Sequence, residues 1–110
     1  MLPNIVLIGF MGCGKSSVGR RIASLTGHRF VDTDELIVTR AGVSIPQIFA
    51  AEGEPGFRDR ESAELRDLVG ANDIVLATGG GIVLREENRE TLRRIGPVAW
   101  LHADPDLLFE

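Results

Sequence analysis

The sequence holds a single cysteine, no tyrosine and one tryptophan in 110 residues. One thiol, Cys13, excludes an intrachain disulfide and a multi-cysteine zinc site. No apolar run approaches the ~18 residues that would cross a bilayer. Met1-Leu2-Pro3-Asn4 lacks the basic start and small-residue cleavage site of a signal peptide, so a cytoplasmic location is expected. Basic charge is also scarce: 12 Lys plus Arg against 16 Asp plus Glu give a net charge of -4. Neither nucleic acid nor a membrane surface is therefore an expected partner, and any anion must be held locally. Repeats, low-complexity tracts and Ser/Pro-rich linkers are missing too. With 44% hydrophobic and 25% charged residues, residues 1–110 read as one globular domain, expected to act as a monomer. Glycine is abundant instead, with 13 residues, roughly double the average ~7% usage.

Short apolar runs alternate with longer amphipathic stretches. Ile5-Val6-Leu7-Ile8, closed by Gly9, predicts a strand buried on both faces. A helix follows at about Lys15 to Thr26, where Val18, Ile22 and Leu25 recur at helical spacing before Gly27. Arg29 to Asp32 predicts a second strand, and helical character resumes from Asp34 to Thr39 before Gly42. Ser44 is placed to cap a short helix carrying Ile48 and Phe49. The Gly53-Glu54-Pro55-Gly56 turn then separates that helix from a polar one at about Phe57 to Val69. Ile74 to Ala77 predicts a third strand, Arg85 to Ile95 a helix and Val98 to Leu101 a fourth strand. Such β-then-α alternation points to an α/β fold, a parallel sheet in a three-layer α/β/α arrangement. Asp104-Pro105 reads as one more helix start, with too little chain after it to offset nucleation. The sequence is therefore expected to be the front part of a longer natural chain.

Gly9-Phe10-Met11-Gly12-Cys13-Gly14-Lys15-Ser16 fits G-x-x-x-x-G-K-[ST] and lies between the first predicted strand and helix, the context that motif requires. Glycines at these positions allow a backbone path whose N–H groups cradle phosphate oxygens, beside the partly positive start of a helix. Lys15 is placed to reach the β and γ phosphates of ATP, and the Ser16 hydroxyl to ligate the bridging Mg²⁺. Ser17 follows as an outer phosphate contact, and Cys13 serves through its backbone amide. The motif and its context thus point to a P-loop NTPase fold, and in architecture the sequence resembles nucleoside-monophosphate kinases.

Asp32-Thr33-Asp34 ends the second strand, where ligands gather in parallel sheets. Phosphoryl transfer to an alcohol needs one carboxylate to hold and deprotonate the hydroxyl and another to support Mg²⁺. Capping of the following helix is the alternative use of one of them. Thr78-Gly79-Gly80-Gly81 follows the third strand at the same edge, and its glycines permit close approach of a ligand to backbone N–H groups. Some forty residues separate the second and third strands, enough for an acceptor pocket. Within them Arg58 could hold a carboxylate in a bidentate fork, oriented by Glu61 one turn later, with Phe49 and Phe57 as apolar walls. A solvated Arg-Glu pair above two core phenylalanines is the plainer reading. Arg60 and Arg66, with Arg89, Arg93 and Arg94, read as helix-surface charges.

In order and separation, Gly9 to Ser17, Asp32-Thr33-Asp34, Gly56-Phe57-Arg58 with Glu61, and Thr78 to Gly81 resemble the shikimate kinase family. The resemblance runs from Leu7 to the end. It implies transfer of the γ-phosphate of ATP to the 3-hydroxyl of shikimate, on the route to aromatic amino acids. On that resemblance Gly12, Cys13, Gly14, Lys15, Ser16 and Ser17 bind ATP phosphates, Ser16 and Asp32 serve Mg²⁺, and Asp34 activates the acceptor hydroxyl. Arg58 would bind the shikimate carboxylate and Gly80 the acceptor through its backbone. Family members continue through a lid with a phosphate-contacting arginine, a further strand and an adenine loop, so these 110 residues alone are expected to turn over poorly. Alternatives are a gluconate-type or nucleoside-monophosphate kinase, which shares loop and architecture, and a non-catalytic nucleotide-binding module.

Overall fold

A computed structural model describes residues 3–9 and 15–101. The four aliphatic runs become strands β1 (Ile5–Gly9), β2 (Arg29–Asp32), β3 (Ile74–Ala77) and β4 (Val98–Leu101). All pair in parallel, in the order β2-β3-β1-β4. Helices α1 (Lys15–Thr26), α2 (Thr33–Ala41), α3 (Ile45–Leu68) and α4 (Glu86–Ile95) connect them, and a 3₁₀ segment, Gly80–Leu84, follows β3. The expected helix start at Asp104-Pro105 lies outside the described residues.

Alternation along the strands separates two faces. Leu7 and Val75 meet Ala23 of α1, with Ile5, Ile22 and Phe30 around them. Val6 and Ile8 of β1, with Ile74 and Leu76 of β3, face the other way onto Leu65 of α3 and Leu92 and Ile95 of α4. The three-layer expectation holds. β3 is buried along its whole length, as a central strand covered on both faces requires.

The buried stripe of α1 is not the expected one. Leu25 is 74% exposed and Val18 half-exposed, whereas Gly19, Ile22 and Ala23 face the sheet. A Cβ on Gly19 would lie 2.5 Å from the Phe30 ring, so small residues let this helix sit close and leave its larger apolar residues outside. Below the sheet, Asn4 Nδ2 donates to the carbonyls of Ala71 (2.7 Å) and Ile95 (3.0 Å), and Asn4 Oδ1 accepts from Ile74 N (3.0 Å). One side chain thereby ties the entry of β1 to that of β3 and the exit of α4.

On the α3 side of the sheet, α2 and α3 also pack on one another around a small core of their own, Ile37 against Ile48 and Phe57. Gly42 ends α2 in the left-handed conformation (φ 74°), its N–H bonded to the Val38 carbonyl at 2.9 Å. Ser44 starts α3 through a reciprocal capping box with Gln47. The expected four-residue turn between two helices contracts to one residue. Gly53 alone leaves helical geometry (φ 72°, ψ -179°), and the helix resumes at once with Pro55 in its first turn, where a missing N–H costs nothing. Across this kink Arg60 forks onto Glu52, Nε to Oε1 at 3.0 Å and Nη2 to Oε2 at 2.7 Å. Arg60 is thus a bridge between the two arms rather than the solvated charge expected from its position. The hydrogen bond from Arg60 holds the Glu52 carboxyl below its usual range.

Candidate active site

Register places the carboxyl ends of three strands side by side, Asp32 of β2 beside Ala77 of β3 and Ala77 beside Leu7 of β1. Hydrogen bonds lock the ends together. Thr78 N and Oγ1 donate to the Leu7 carbonyl at 3.1 and 3.4 Å, and Thr33 Oγ1 donates to the Ala77 carbonyl at 3.4 Å. The phosphate-binding motif, the acidic pair and the triple glycine consequently leave the sheet at one edge. β1 ends at Gly9 and α1 begins at Lys15, so the motif starts at the end of a strand and finishes at the start of a helix, as its chemistry requires. Gly12, Cys13 and Gly14, and the side chains of Lys15 and Ser16, lie outside the described residues. Ser17 is exposed in the first turn of α1.

Asp32 is the N-cap of α2: its Oδ1 accepts from Asp34 N at 2.8 Å and from Glu35 N at 3.4 Å. Of the two uses open to the pair, capping is therefore one that Asp32 fulfils. That cap sets the first turn from which Asp34 projects. A Cβ placed on Gly79 would lie 3.7 Å from both Asp34 Oδ1 and Glu61 Oε2, so the two carboxylates converge on that glycine.

Arg58 and Glu61 are not a solvated surface pair. Arg58 Nη1 donates to Glu61 Oε1 at 2.7 Å, and Arg58 Nε lies 3.5 Å from Glu54 Oε1. Glu61 is 1% exposed and the Arg58 side chain 19%. Burial works against the charge on Arg58, but the hydrogen bond and charge of Glu61, with Glu54 beyond, hold its guanidinium above the ordinary range. For Glu61 the balance tips the other way. Burial pushes its carboxyl above the usual carboxylate range; Arg58 opposes that rise and the nearby charge of Asp34 adds to it.

The guanidinium rests against Gly81, where a Cβ would come within 2.4 Å of Arg58 Nη2. The second glycine loop is thus a fitted surface rather than a loose turn. It enters a 3₁₀ segment at Gly80, anchored by the fully buried Ile82. Phe57 is buried with Arg58 Cζ 5.5 Å from its ring centroid, and the half-exposed Phe49 stacks on it at 4.8 Å. These rings form a wall beneath the cation. Asp34, Arg58, Glu61, Gly79 and Gly81 therefore meet at one place, with Phe49 and Phe57 alongside.

Sequence reasoning passed over a second set of groups behind this site. Asp59, Ser62, Arg85 and Asn88 join α3 to the 3₁₀ segment and α4. Ser62 and Asn88 are buried polar residues on otherwise polar helices, and no spacing along the chain marks them. Among the described residues, no helix is long and apolar enough to cross a membrane.

The family model of shikimate kinase matches residues 11–110. A shikimate kinase of Symbiobacterium thermophilum is 53% identical over 107 residues, spanning 97% of this chain and 62% of that protein. Among solved structures, shikimate kinase from Acinetobacter baumannii in complex with shikimate has a TM-score of 0.91 at 47% identity, covering 97% of this chain and 60% of that one. A gluconokinase from Sinorhizobium meliloti, with a TM-score of 0.57 at 23% identity over 96% of this chain and 61% of that one, shares the fold alone. The chain spans less than two thirds of the length of the relatives it matches.

Proposed function

Since the chain belongs to the shikimate kinase family, we propose that its protein transfers the γ-phosphate of ATP to the 3-hydroxyl of shikimate, giving shikimate 3-phosphate and ADP. One observation carries the acceptor assignment: a part-buried cation, Arg58, is held by Glu61 against Gly81, with the Asp34 carboxylate directed at the neighbouring Gly79. A cyclic hydroxy acid has the two groups such a site recognises, a carboxylate for the guanidinium fork and a hydroxyl for the aspartate. Arg58 is the carboxylate clamp. Asp34 accepts the proton of the attacking hydroxyl as its oxygen bonds to phosphorus. Gly79, Gly80 and Gly81 let the ring lie against backbone, and Phe49 and Phe57 close its apolar side. Gly12, Cys13, Gly14, Lys15, Ser16 and Ser17 hold the phosphates of ATP, with Lys15 neutralising charge on the phosphoryl group in transit.

Mg²⁺ fits the residues present. Ser16 and Asp32 offer hard oxygen donors, and Mg²⁺ is commonly held by one or two carboxylates, substrate phosphates and water rather than by a protein cage. The cap on α2 engages Oδ1 of Asp32 and thereby fixes how its carboxylate is presented at the sheet edge. Held there, Mg²⁺ would supply charge neutralisation to the phosphates of ATP.

The test is ADP formation by the whole natural protein with ATP, Mg²⁺ and one acceptor at a time. Shikimate alone should support turnover in the ordinary kinase range of ~1–100 s⁻¹. Faster turnover with gluconate or a nucleoside monophosphate would overturn the acceptor assignment. Nucleotide binding without acceptor-dependent ADP would identify a non-catalytic module instead.

A further inference from the structure

Behind the candidate acceptor site runs a chain of hydrogen bonds with a fixed direction. Asn88, 1% exposed, places Nδ2 2.9 Å from the Ile82 carbonyl. A carbonyl only accepts, so the amide nitrogen must face Ile82, and Oδ1 then faces Ser62. Ser62 Oγ is 2.8 Å from Asn88 Oδ1 and must donate to it. That hydroxyl has one hydrogen, and the Arg58 carbonyl at 3.1 Å is its longer alternative. Arg85 Nη1 donates to the Ser62 oxygen at 3.3 Å and pairs with Asp59 Oδ1 at 2.9 Å.

The helical turn Arg58–Ser62 thus carries two sets of side chains with different duties. Arg58 and Glu61 face Gly79 and Gly81, whereas Asp59 and Ser62 grip the elements that follow those glycines. Gly81 limits where the Arg58 guanidinium can lie, and Ile82, the next residue, is held by Asn88. We propose that Asn88 is a positioning residue for the acceptor site, locking the 3₁₀ segment Gly80–Leu84 onto α3 through Ser62 so that Gly81 backs the guanidinium of Arg58. This inference rests on the reading of Arg58 as the clamp for the shikimate carboxylate.

Its test uses the whole natural protein, with calorimetric titration of shikimate and, separately, of a non-hydrolysable ATP analogue with Mg²⁺. Asn88→Ala strands the Ile82 carbonyl and turns the Ser62 hydroxyl back onto the Arg58 carbonyl of its own helix, breaking the link to α4, and should weaken shikimate about tenfold while leaving the ATP analogue within about twofold. Ser62→Ala, which removes only a hydroxyl, should weaken shikimate about threefold. In turnover the loss should fall on KM for shikimate more than on kcat. In an Arg58→Ala background, Asn88→Ala should have almost no further effect on shikimate, because the residue acts through the clamp. Unchanged shikimate affinity in folded Asn88→Ala overturns the proposal, as does equal weakening of both ligands or full additivity with Arg58→Ala. Should Asn88→Ala not fold, unchanged affinity in Ser62→Ala overturns it. A wild-type protein that binds no shikimate overturns the functional reading itself, and this inference with it. Normal wild-type binding with unaltered variants sinks the inference alone.

Discussion

The sheet and the α2–α3 pair are built on different principles. In the sheet, Val6, Leu7, Ile74, Val75 and Leu76 are almost wholly buried, and the strands are held by apolar contact on both faces. In the α2–α3 pair the apolar core is reduced to Ile37, Ile48 and Phe57, and ion pairs do much of the fixing: Arg58 to Glu61, Arg60 to Glu52, and Arg40 to Glu64. Apolar packing is non-directional and tolerates only volume; ion pairs and hydrogen bonds are directional and set where a side chain points. The division of labour follows. The sheet provides a rigid edge at which loops converge, and the helical pair aims the cation that, on the proposed function, meets the acceptor.

That contrast can be broken first at its strong side. Leu76→Ala should cost about 2–5 kcal/mol in denaturant unfolding, because it opens a cavity in a fully packed strand. A loss below about 1 kcal/mol would mean the sheet is not the base of the fold. Gly81→Ala should do the opposite. The three atoms nearest the new methyl all belong to the end of the flexible Arg58 side chain, so stability should change little while shikimate affinity falls tenfold or more. Equal affinity in the variant would show that the guanidinium does not need that surface.

Smaller effects sharpen the comparison. Because burial raises the Glu61 carboxyl above its unfolded value, the native state retains that proton more firmly, and the stabilisation is complete below the ordinary carboxylate range. It is lost as pH rises through the folded value. The stability of wild type relative to Glu61→Gln should therefore fall from pH 4 towards neutrality, as read from urea midpoints at each pH. A rising difference would reverse the assigned balance between burial and the Arg58 pair. Least of all, Ser44→Ala should cost about 1 kcal/mol by removing one half of the α3 capping box.

The same contrast explains what could be read in advance. β3 falls on the expected residues because a central parallel strand requires a short apolar run, and such runs are visible in one dimension; the edge strands β2 and β4 also fall where expected, each a short run rich in β-formers. The caps at Ser44 and Gly42 are equally local. α1 misled because its large apolar residues, Val18 and Leu25, face outward, while contact with the sheet is made through Gly19 and Ala23, whose smallness is the adaptation. Arg60 misled because its partner lies eight residues back across the Gly53 kink, outside helical spacing. In the candidate site, Asp34 was legible from residue type and order, whereas Arg58 with Glu61 read more plainly as a solvated pair, and the triple glycine as a weak signal, apart from the family resemblance. What the sequence did not carry was the support behind them. Ser62 and Asn88 are 26 residues apart and meet only once β3 has brought the glycine turn alongside α3.

The most direct test of the central claim is a calorimetric titration of shikimate into the whole protein and into its Arg58→Ala variant, with the ATP analogue titrated in parallel. The account predicts that the variant loses shikimate affinity by about a hundredfold, as expected for deleting a charged hydrogen-bonding partner, and keeps its nucleotide affinity. Equal weakening of both ligands, or none, would contradict it.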